Sequence, residues 1–355
     1  MNSYNVIGVM SGTSLDGLDI AYCTFTFDNS KKWSYKINAA TTLPYPKELL
    51  KELSSATKMS GLDLMLLHNK LGDYIGNSIS QFIEKEQIAK QEITTISSHG
   101  HTIFHQPDKK LTTQIGNGAN ISAITKLTTI CDFRTTDLAL SGQGAPLVPI
   151  GDQLLFSAYD YCVNLGGIAN ISSFENDKSI AFDICPVNIV MNKLALNLGE
   201  PYDKNGDFAQ SGIVHKYLLL QLNQVAYYKK SSPKSLGIEN ITQSIFPILD
   251  SFNISNEDKL ATFVEHISIQ IANTLTPNKK VLFTGGGTFN TYLMSRIESN
   301  YRSKVIIPSP QIIDFKEALI FAFLGVLRLR NEANCLSSVT GALKNNIGGC
   351  IYQAC

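Results

Sequence analysis

Small hydroxyl residues, glycines and acidic residues are concentrated in one short segment near the start of the chain. Residues 11–19 read Ser-Gly-Thr-Ser-Leu-Asp-Gly-Leu-Asp and separate two β-rich runs. Backbone N–H groups at such a turn bind anionic oxygens, and glycine lets an anion approach the backbone closely. The hydroxyls of Thr13 and Ser14 can donate to phosphate, and Asp16 or Asp19 can hold Mg²⁺ through water. The segment predicts a phosphate-binding turn; the alternative is an ordinary Asp-Gly turn.

Two further glycine turns follow β-rich runs later in the chain. Gly166 and Gly167 lie within Asn-Leu-Gly-Gly-Ile-Ala-Asn at 164–170, and three glycines at 285–287 follow a buried-type strand at 280–283. A glycine turn between a strand and a helix can lie against a nucleotide, whereas tight packing is the other explanation. The three turns together predict a split phosphate- and nucleotide-binding arrangement. None of them matches the GxxxxGK[ST] loop.

Asp183 is the candidate general base. It ends an apolar strand at 180–182 and precedes Pro186. A carboxylate that leaves a buried strand is partly desolvated, which brings its pKa nearer the range that proton transfer needs. The alternative is an Asp that caps the helix that follows.

A histidine-rich stretch and one arginine are the remaining candidates. His99, His101 and His105 are not spaced as a tetrahedral metal set and have no adjacent Cys or carboxylate, so zinc is disfavoured. His99, next to a glycine, is expected to position a polar ligand or to support the site. Arg134 can bind a carboxylate bidentately, or it can form a structural ion pair with Asp132 or Asp137.

The elements that must position these residues occur in two similar sets. A β-hairpin heads each half of the chain, at 5–27 and at 161–184, and helical patterns with short strands follow it. Such an order predicts two α/β lobes that pack around a ligand cleft. We expect residues 1–133 with 340–355 to form the first lobe, and residues 134–339 to form the second.

Composition narrows the class of protein. Lys and Arg equal Asp and Glu at 30 each among 355 residues, so nucleic-acid and anionic-membrane partners are not expected. The longest apolar run, residues 318–327, is about half a membrane span. No basic start precedes the first apolar stretch, and the seven cysteines are scattered without a CxxC pair. These features predict a cytoplasmic protein with reduced thiols.

Several of these segments together resemble the 1,6-anhydro-N-acetylmuramic acid kinases. The resemblance begins at Gly8-Val-Met-Ser-Gly-Thr-Ser-Leu-Asp-Gly-Leu-Asp19 and continues through Asp132-Phe-Arg134, Gly142-Gln-Gly-Ala-Pro-Leu-Val-Pro149 and Asn164-Leu-Gly-Gly-Ile-Ala-Asn170. It extends over nearly the whole chain. That family belongs to the actin, hexokinase and heat-shock-chaperone ATPase superfamily. The resemblance therefore implies an α/β, two-lobed actin-like ATPase (ribonuclease-H-like) fold with a central ligand cleft.

The resemblance also implies a reaction. Water opens the 1,6-anhydro bridge, the freed 6-oxygen accepts the γ-phosphoryl group of Mg·ATP, and N-acetylmuramic acid 6-phosphate, a cell-wall recycling intermediate, is formed. Asp183 matches the catalytic base. Sugar-binding roles fall to Arg134 and Glu317, with His99 beside them. The implied ATP-binding residues are Gly12, Thr13, Ser14, Leu15, Asp16, Gly17, Leu18, Asp19, Gly166, Gly167, Gly285, Gly286 and Gly287. Members of the family tend to form homodimers.

Two departures from the family pattern leave alternatives open. After the base the chain reads Ile184-Cys-Pro-Val187 where the family has Thr-Gly-Pro-Gly, and His101 replaces a glutamine. Bulkier side chains beside the base indicate an altered shape there. One alternative is a kinase that acts on a related sugar or a carboxylated metabolite. The other is a nucleotide-binding regulatory protein with little turnover, although such a protein needs no buried base.

Overall fold

The computed structural model describes residues 2–175, 178–232, 234–301 and 304–354. The strands, in chain order, are β1 (Asn2–Ser11), β2 (Leu18–Phe27), β3 (Trp33–Leu43), β4 (Thr95–Gln106), β5 (Leu111–Ile115), β6 (Thr129–Cys131), β7 (Tyr161–Leu165), β8 (Ile168–Glu175), β9 (Lys178–Pro186), β10 (Val281–Thr284), β11 (Val305–Ile306) and β12 (Cys350–Tyr352). The α-helices are α1 (Lys47–Ser55), α2 (Gly61–Lys85), α3 (Gly118–Thr125), α4 (Thr135–Ala139), α5 (Val148–Leu155), α6 (Asn188–Leu196), α7 (Asp207–Ser211), α8 (Lys216–Asn223), α9 (Ile238–Ser244), α10 (Phe246–Asp250), α11 (Asn256–Thr274), α12 (Thr291–Asn300), α13 (Pro310–Leu329) and α14 (Ser337–Thr340).

The chain divides into two compact units. Unit one contains the residues up to Leu155 and those from Phe315 onward, and unit two is Phe156–Asp314. These boundaries differ from the expected 133/134 and 339/340. The reason is packing: α4 and α5 stay with the first sheet, and most of α13 lies against it. A Cβ at Gly8 of β1, for example, would lie 2.0 Å from the carbonyl oxygen of Ala318.

Unit one is built on a seven-stranded sheet. Its order is β12-β6-β4-β1-β2-β3, and β5 pairs with β4. β1–β2 and β2–β3 are antiparallel pairs, whereas β4 is parallel to both β1 and β6. The apolar residues of α2, spaced at three and four, pack on one face, with Leu71, Ile75 and Ile79 fully buried.

Unit two repeats the same plan with its own strands. The order is β11-β10-β7-β8-β9, with β7–β8 and β8–β9 antiparallel and β7–β10 and β10–β11 parallel. The order β3-β2-β1-β4-β6 of unit one thus corresponds to β9-β8-β7-β10-β11 of unit two, with the same directions, and β5 is an addition in unit one. Helix α11 covers this sheet with Phe263, Ile267 and Ile271, all fully buried. The duplicated α/β architecture confirms the predicted ribonuclease-H-like fold class.

The apolar run at 318–327 lies within α13 and is buried in unit one. Among the residues that the structure describes, no helix is long and apolar enough to span a bilayer.

Candidate functional site

The turn between β1 and β2 presents its polar side chains to solvent. Thr13, Ser14 and Asp16 are exposed, and Leu15, at φ +61°, donates its N–H to the carbonyl of Gly12 at 3.1 Å. Within the described part of the chain, those three exposed side chains make no hydrogen bond. The turn therefore offers two hydroxyls and one carboxylate to a ligand without first breaking an internal contact.

A buried hydrogen-bond chain holds the base of this turn. Tyr45 donates its hydroxyl to Ser11 Oγ at 2.6 Å, and Ser11 Oγ lies 2.8 Å from Nδ1 of His101. A serine hydroxyl can accept two hydrogen bonds and donate one, so the Ser11 hydroxyl can serve either partner role toward that nitrogen. Burial lowers the pKa of His101. No sequence motif indicated the part played by Tyr45.

A β-bulge in β4 carries His99. Val9 pairs with Ser98 but Ser11 pairs with His101, so β4 has one extra residue against β1. Gly100 takes φ +73°, where a Cβ would lie 2.5 Å from the carbonyl oxygen of Ile115. Bulges of this kind turn a side chain away from the regular strand direction. The glycine next to His99 is thus required by the backbone.

His99 and Arg134 form a directed pair. His99 Nδ1 lies 2.9 Å from the carbonyl of Gly100, and Nε2 accepts from Arg134 Nε and Nη2 at 3.1 and 2.9 Å. The ring is therefore a neutral Nδ1–H imidazole, and burial and the guanidinium hold its pKa well below the usual range. Arg134 Nη1 also donates to the carbonyl of Gly144 at 2.7 Å. Within the described residues, Arg134 forms neither of the ion pairs expected with Asp132 or Asp137.

Helix α13 brings Glu317 into this charged group. Glu317 is solvent-accessible, yet desolvation raises the pKa of its carboxyl. The cations Lys316 and Arg134 lower this pKa, and the nearby Asp19 raises it further. That combination describes a carboxylate that solvent reaches but that protein atoms surround. Asp19 in turn accepts from the hydroxyl of Thr42 at 2.6 Å. Unit one therefore brings together four of the predicted site residues: Asp19, His99, Arg134 and Glu317.

In unit two, Asp183 stands beside a β-bulge near the end of β9. Asn170 pairs with Asp183 but Ala169 pairs with Cys185, so Ile184 is an extra residue against β8. The Asp183 carboxylate is half-buried and accepts from the backbone N–H of Leu236 at 2.8 Å. The predicted base thus has a single fixed hydrogen-bond donor.

The surroundings of Asp183 favour its acting as a base. Desolvation raises its pKa and the N–H of Leu236 opposes this, and within the part of the chain that the structure describes no cation contributes to the shift. Tyr227 donates to its backbone carbonyl at 2.6 Å, which fixes the strand at this point. The alternative role as a helix cap is wrong. Helix α6 has Val187 at its N-cap without a side-chain cap, and the carbonyls of the Gly166-Gly167 turn accept its first N–H groups.

The glycine turn at 285–287 in unit two packs against the end of β7. At Gly285, with φ +85°, a Cβ would lie 2.6 Å from Asn164 Oδ1, and at Gly287 it would lie 2.8 Å from Leu165 Cβ. These two glycines are therefore required by packing. A Cβ at Gly286 would have no neighbour within 4 Å. Of the three glycines at 285–287, Gly286 is therefore the one with space beside it for a ligand.

The residues that follow the base and depart from the family pattern are buried in unit two. Ile184, Cys185 and Val187 are at most 2% exposed and belong to the core of the unit. The departure therefore changes the packing beneath the strand more than the surface beside Asp183.

The donor set for a metal ion is small. In the described parts of the chain, no three His, Cys, Asp or Glu side chains are grouped to hold an ion. Protein sites for Mg²⁺ usually supply only one or two carboxylates and leave the other positions to water and phosphate. The exposed Asp16 and the half-buried Asp19 fit that limited role.

Comparison with known proteins agrees with these features. The sequence profile of the family described as anhydro-N-acetylmuramic acid kinase matches residues 4–354. Proteins of that name from Hydrogenovibrio crunogenus and Mannheimia succiniciproducens are 34% and 33% identical, over 98% of this chain and 97% and 98% of theirs. A solved structure of the activator of the 2-hydroxyisocaproyl-CoA dehydratase from Clostridium difficile with bound ADPNP aligns at a TM-score of 0.45 with 11% identity, over 92% of this chain and 97% of that one. On the profile and the two full-length relatives, the chain belongs to the anhydro-N-acetylmuramic acid kinase family.

Proposed function

We propose that the protein opens 1,6-anhydro-N-acetylmuramic acid with water and phosphorylates it with ATP. Water attacks the anomeric carbon, its proton goes to Asp183, and the bond from that carbon to the bridging oxygen breaks. The oxygen stays on carbon 6, forms a bond to the γ-phosphorus, and the bond from that phosphorus to ADP breaks. N-acetylmuramic acid 6-phosphate and ADP are the products. Such a step serves the recycling of cell-wall sugar.

The observation that carries the proposal is the environment of Asp183. Its pKa is raised by desolvation, and among the described residues no cation contributes to the shift, so it accepts a proton more readily than an exposed aspartate. The N–H of Leu236 holds one carboxylate oxygen, which leaves the other for water. A protein that only binds nucleotide gains nothing from a carboxylate held in this way.

The Arg134 group suits an anionic sugar. Of the five N–H donors in a guanidinium, three are used on His99 and Gly144, and one remains on each terminal nitrogen. Two such donors can bind a carboxylate bidentately. The lactyl carboxylate of the proposed substrate provides that partner, and Glu317 offers an acceptor to a sugar hydroxyl.

ATP and Mg²⁺ are assigned to the turn at 12–19. The free hydroxyls of Thr13 and Ser14 would donate to phosphate oxygens, and Asp16 and Asp19 would hold the ion through water. The ion, when bound, neutralises charge on the transferring phosphoryl group. Gly286 is the position of unit two that we assign to nucleotide contact.

One experiment tests the proposal directly. The purified protein is mixed with ATP, MgCl₂ and 1,6-anhydro-N-acetylmuramic acid, and the products are weighed by mass spectrometry, with Asp183→Asn in parallel. We expect a product heavier by one water and one phosphoryl group, absent with the variant. ADP formed without that product would indicate a different acceptor, such as a related sugar or a carboxylated metabolite. ATP binding without sugar-dependent ADP would replace the proposal with the regulatory role.

A further inference from the structure

A buried carboxylate lies next to the Arg134 group in unit one. Asp137, in α4, is fully buried and accepts four hydrogen bonds. Thr340 Oγ1, Asn346 Nδ2 and Cys335 Sγ donate to Oδ1 at 2.9, 2.7 and 3.0 Å, and the backbone N–H of Gly144 donates to Oδ2 at 2.7 Å. Both oxygens accept, as in an ionised carboxylate. Among the described residues, no Lys or Arg lies within ion-pair distance of it.

The loop at 142–144 is shaped around this carboxylate. A Cβ at Gly142 would lie 2.1 Å from Asp137 Oδ2, and one at Gly144 would lie 2.1 Å from Leu138 Cδ1. Gly144 also takes φ +69°, which side chains other than glycine adopt at a cost. The N–H of Gly142 donates in addition to the backbone carbonyl of Asp137 at 2.8 Å. The position of Gly144 is therefore set by Asp137.

Gly144 connects Asp137 to Arg134. Its N–H points to the buried carboxylate, and its carbonyl accepts from Arg134 Nη1 at 2.7 Å. On its other side, the guanidinium donates from Nε and Nη2 to His99 Nε2. We propose that Asp137 is a positioning residue that, through Gly144, holds the Arg134 guanidinium in the orientation for substrate. The proposal rests on the assigned role of Arg134 in sugar binding. The contacts that run from Asp137 through Gly144 to Arg134 do not depend on that role.

Asp137→Asn is expected to break this connection selectively. An amide that keeps its oxygen toward the three side-chain donors must turn its NH₂ toward the N–H of Gly144. Two donors then face each other, and Gly144 is released. Thr340→Val is the matched control, because it removes one donor from Oδ1 and leaves the contact to Gly144 in place.

The first test reads the geometry without any catalysis. In ¹⁵N-histidine-labelled protein, the six histidines give separate ring signals, and His99→Gln assigns that of His99. We expect Asp137→Asn to move the His99 Nε2 signal toward its position in Arg134→Met, and Thr340→Val to leave it unchanged. An unmoved signal in Asp137→Asn would overturn the proposal. If Asp137→Asn does not fold, Asp137→Ser makes the same comparison, because it removes the acceptor without adding an amide.

The second test is a double-mutant cycle on turnover of the sugar. We expect Asp137→Asn to lower kcat/KM for the sugar about tenfold with the KM for ATP unchanged, and to add nothing to the loss caused by Arg134→Met. Additive losses, or an equal loss in Thr340→Val at the same thermal midpoint, would reduce Asp137 to a structural role. An inactive wild-type protein would contradict the proposed function alone, because the histidine signals would still decide the role of Asp137.

Discussion

Units one and two have the same sheet order, but the groups at corresponding strand ends differ. Unit one has hydroxyls and a guanidinium, whereas unit two has a carboxylate. In unit one, β1 and β2 are joined by an open turn with exposed hydroxyls, and His99 on the neighbouring strand β4 accepts from Arg134 at the N-cap of α4. In unit two, β7 and β8 are joined by a two-glycine turn whose Gly167 lies against Ile189 of α6, and among the described residues no cation shifts the pKa of Asp183 on the third strand. The third strand of unit one ends instead in Thr41-Thr42-Leu43.

The difference shows how one architecture can hold groups that would otherwise neutralise each other. A guanidinium near Asp183 would lower the pKa of that carboxyl and weaken it as a base. Arg134 instead lies against a neutral imidazole and a backbone carbonyl in unit one, and burial lowers its own pKa to about 10. Within its own unit, each of the two groups thus has partners that suit its charge.

The largest expected effect tests whether the base belongs to unit two. Asp183→Asn should lower kcat between about 10²- and 10⁴-fold, the range for a lost general base. Its thermal midpoint should not fall, because the amide oxygen can still accept from Leu236 and an unfavourably desolvated charge is removed. Initial rates and thermal unfolding measure both. Asp160→Asn is the control in the same unit, where a carboxylate with a lowered pKa pairs with Lys279 at the surface. A loss of less than tenfold would move the base elsewhere.

The glycine turns give the next largest effect, on stability. Gly285→Ala should cost about 3 kcal/mol of unfolding free energy, from an unfavourable positive φ and a close approach to Asn164. Gly12→Ala should change stability little, because its Cβ would meet only Ser14 Oγ at 3.3 Å. Urea unfolding and the KM for ATP separate the two variants. Equal stability losses would show that the turn of unit one is as tightly packed as that of unit two.

Much of the fold could be predicted from local sequence pattern. The hairpins predicted at 5–27 and 161–184 are present as β1–β2 and as β7–β9, where alternation and turn residues placed them. Strand β3 was not predicted, because its alternation is irregular and mostly polar, and its place in the sheet comes from pairing with β2. The region 114–146 is rich in turn residues in sequence, yet α3, β6 and α4 lie within it.

Part of the site could be predicted in the same way, and part could not. Asp183 and His99 were visible as polar residues at the ends of apolar strands. The bulges that turn them depend on one extra residue against a partner strand, which no local pattern specifies. Arg134 was expected beside Asp132 or Asp137 because they are neighbours in sequence. Asp137 is instead satisfied by donors about 200 positions away, Cys335 and Thr340.

A third prediction tests the anion-binding side of the comparison. Arg134→Lys keeps the charge but loses the planar fork and its two-sided hold on His99 and Gly144. We expect kcat/KM for the sugar to fall about 100-fold, with the KM for ATP unchanged. Arg296→Lys, at the pair with Glu265 in unit two, should keep wild-type kinetics. A matching rise in the KM for ATP would instead assign Arg134 to nucleotide.

The smallest effect concerns a buried histidine in each unit. His99 accepts from a guanidinium, whereas His266 lies 2.9 Å from the Tyr228 hydroxyl through Nε2 and 2.6 Å from Asn223 Oδ1 through Nδ1. Because Asn223 Oδ1 accepts, Nδ1 carries the proton and Nε2 accepts from the tyrosine, so His266 is also neutral. Burial lowers its pKa to about 3.

A lowered histidine pKa means that the unfolded chain binds the proton first. Stability is then fully present above the unfolded pKa of about 6.5 and is lost as pH falls below it. Between pH 7 and pH 5, His266 should cost about 2 kcal/mol of unfolding free energy, and His266→Gln should lack that part of the pH slope. Urea unfolding at the two pH values measures it. If His266→Gln had the same pH slope of unfolding free energy as the wild-type protein, the His266 imidazole would gain its proton inside the folded unit. In unit one, the guanidinium of Arg134 beside His99 prevents such a protonation.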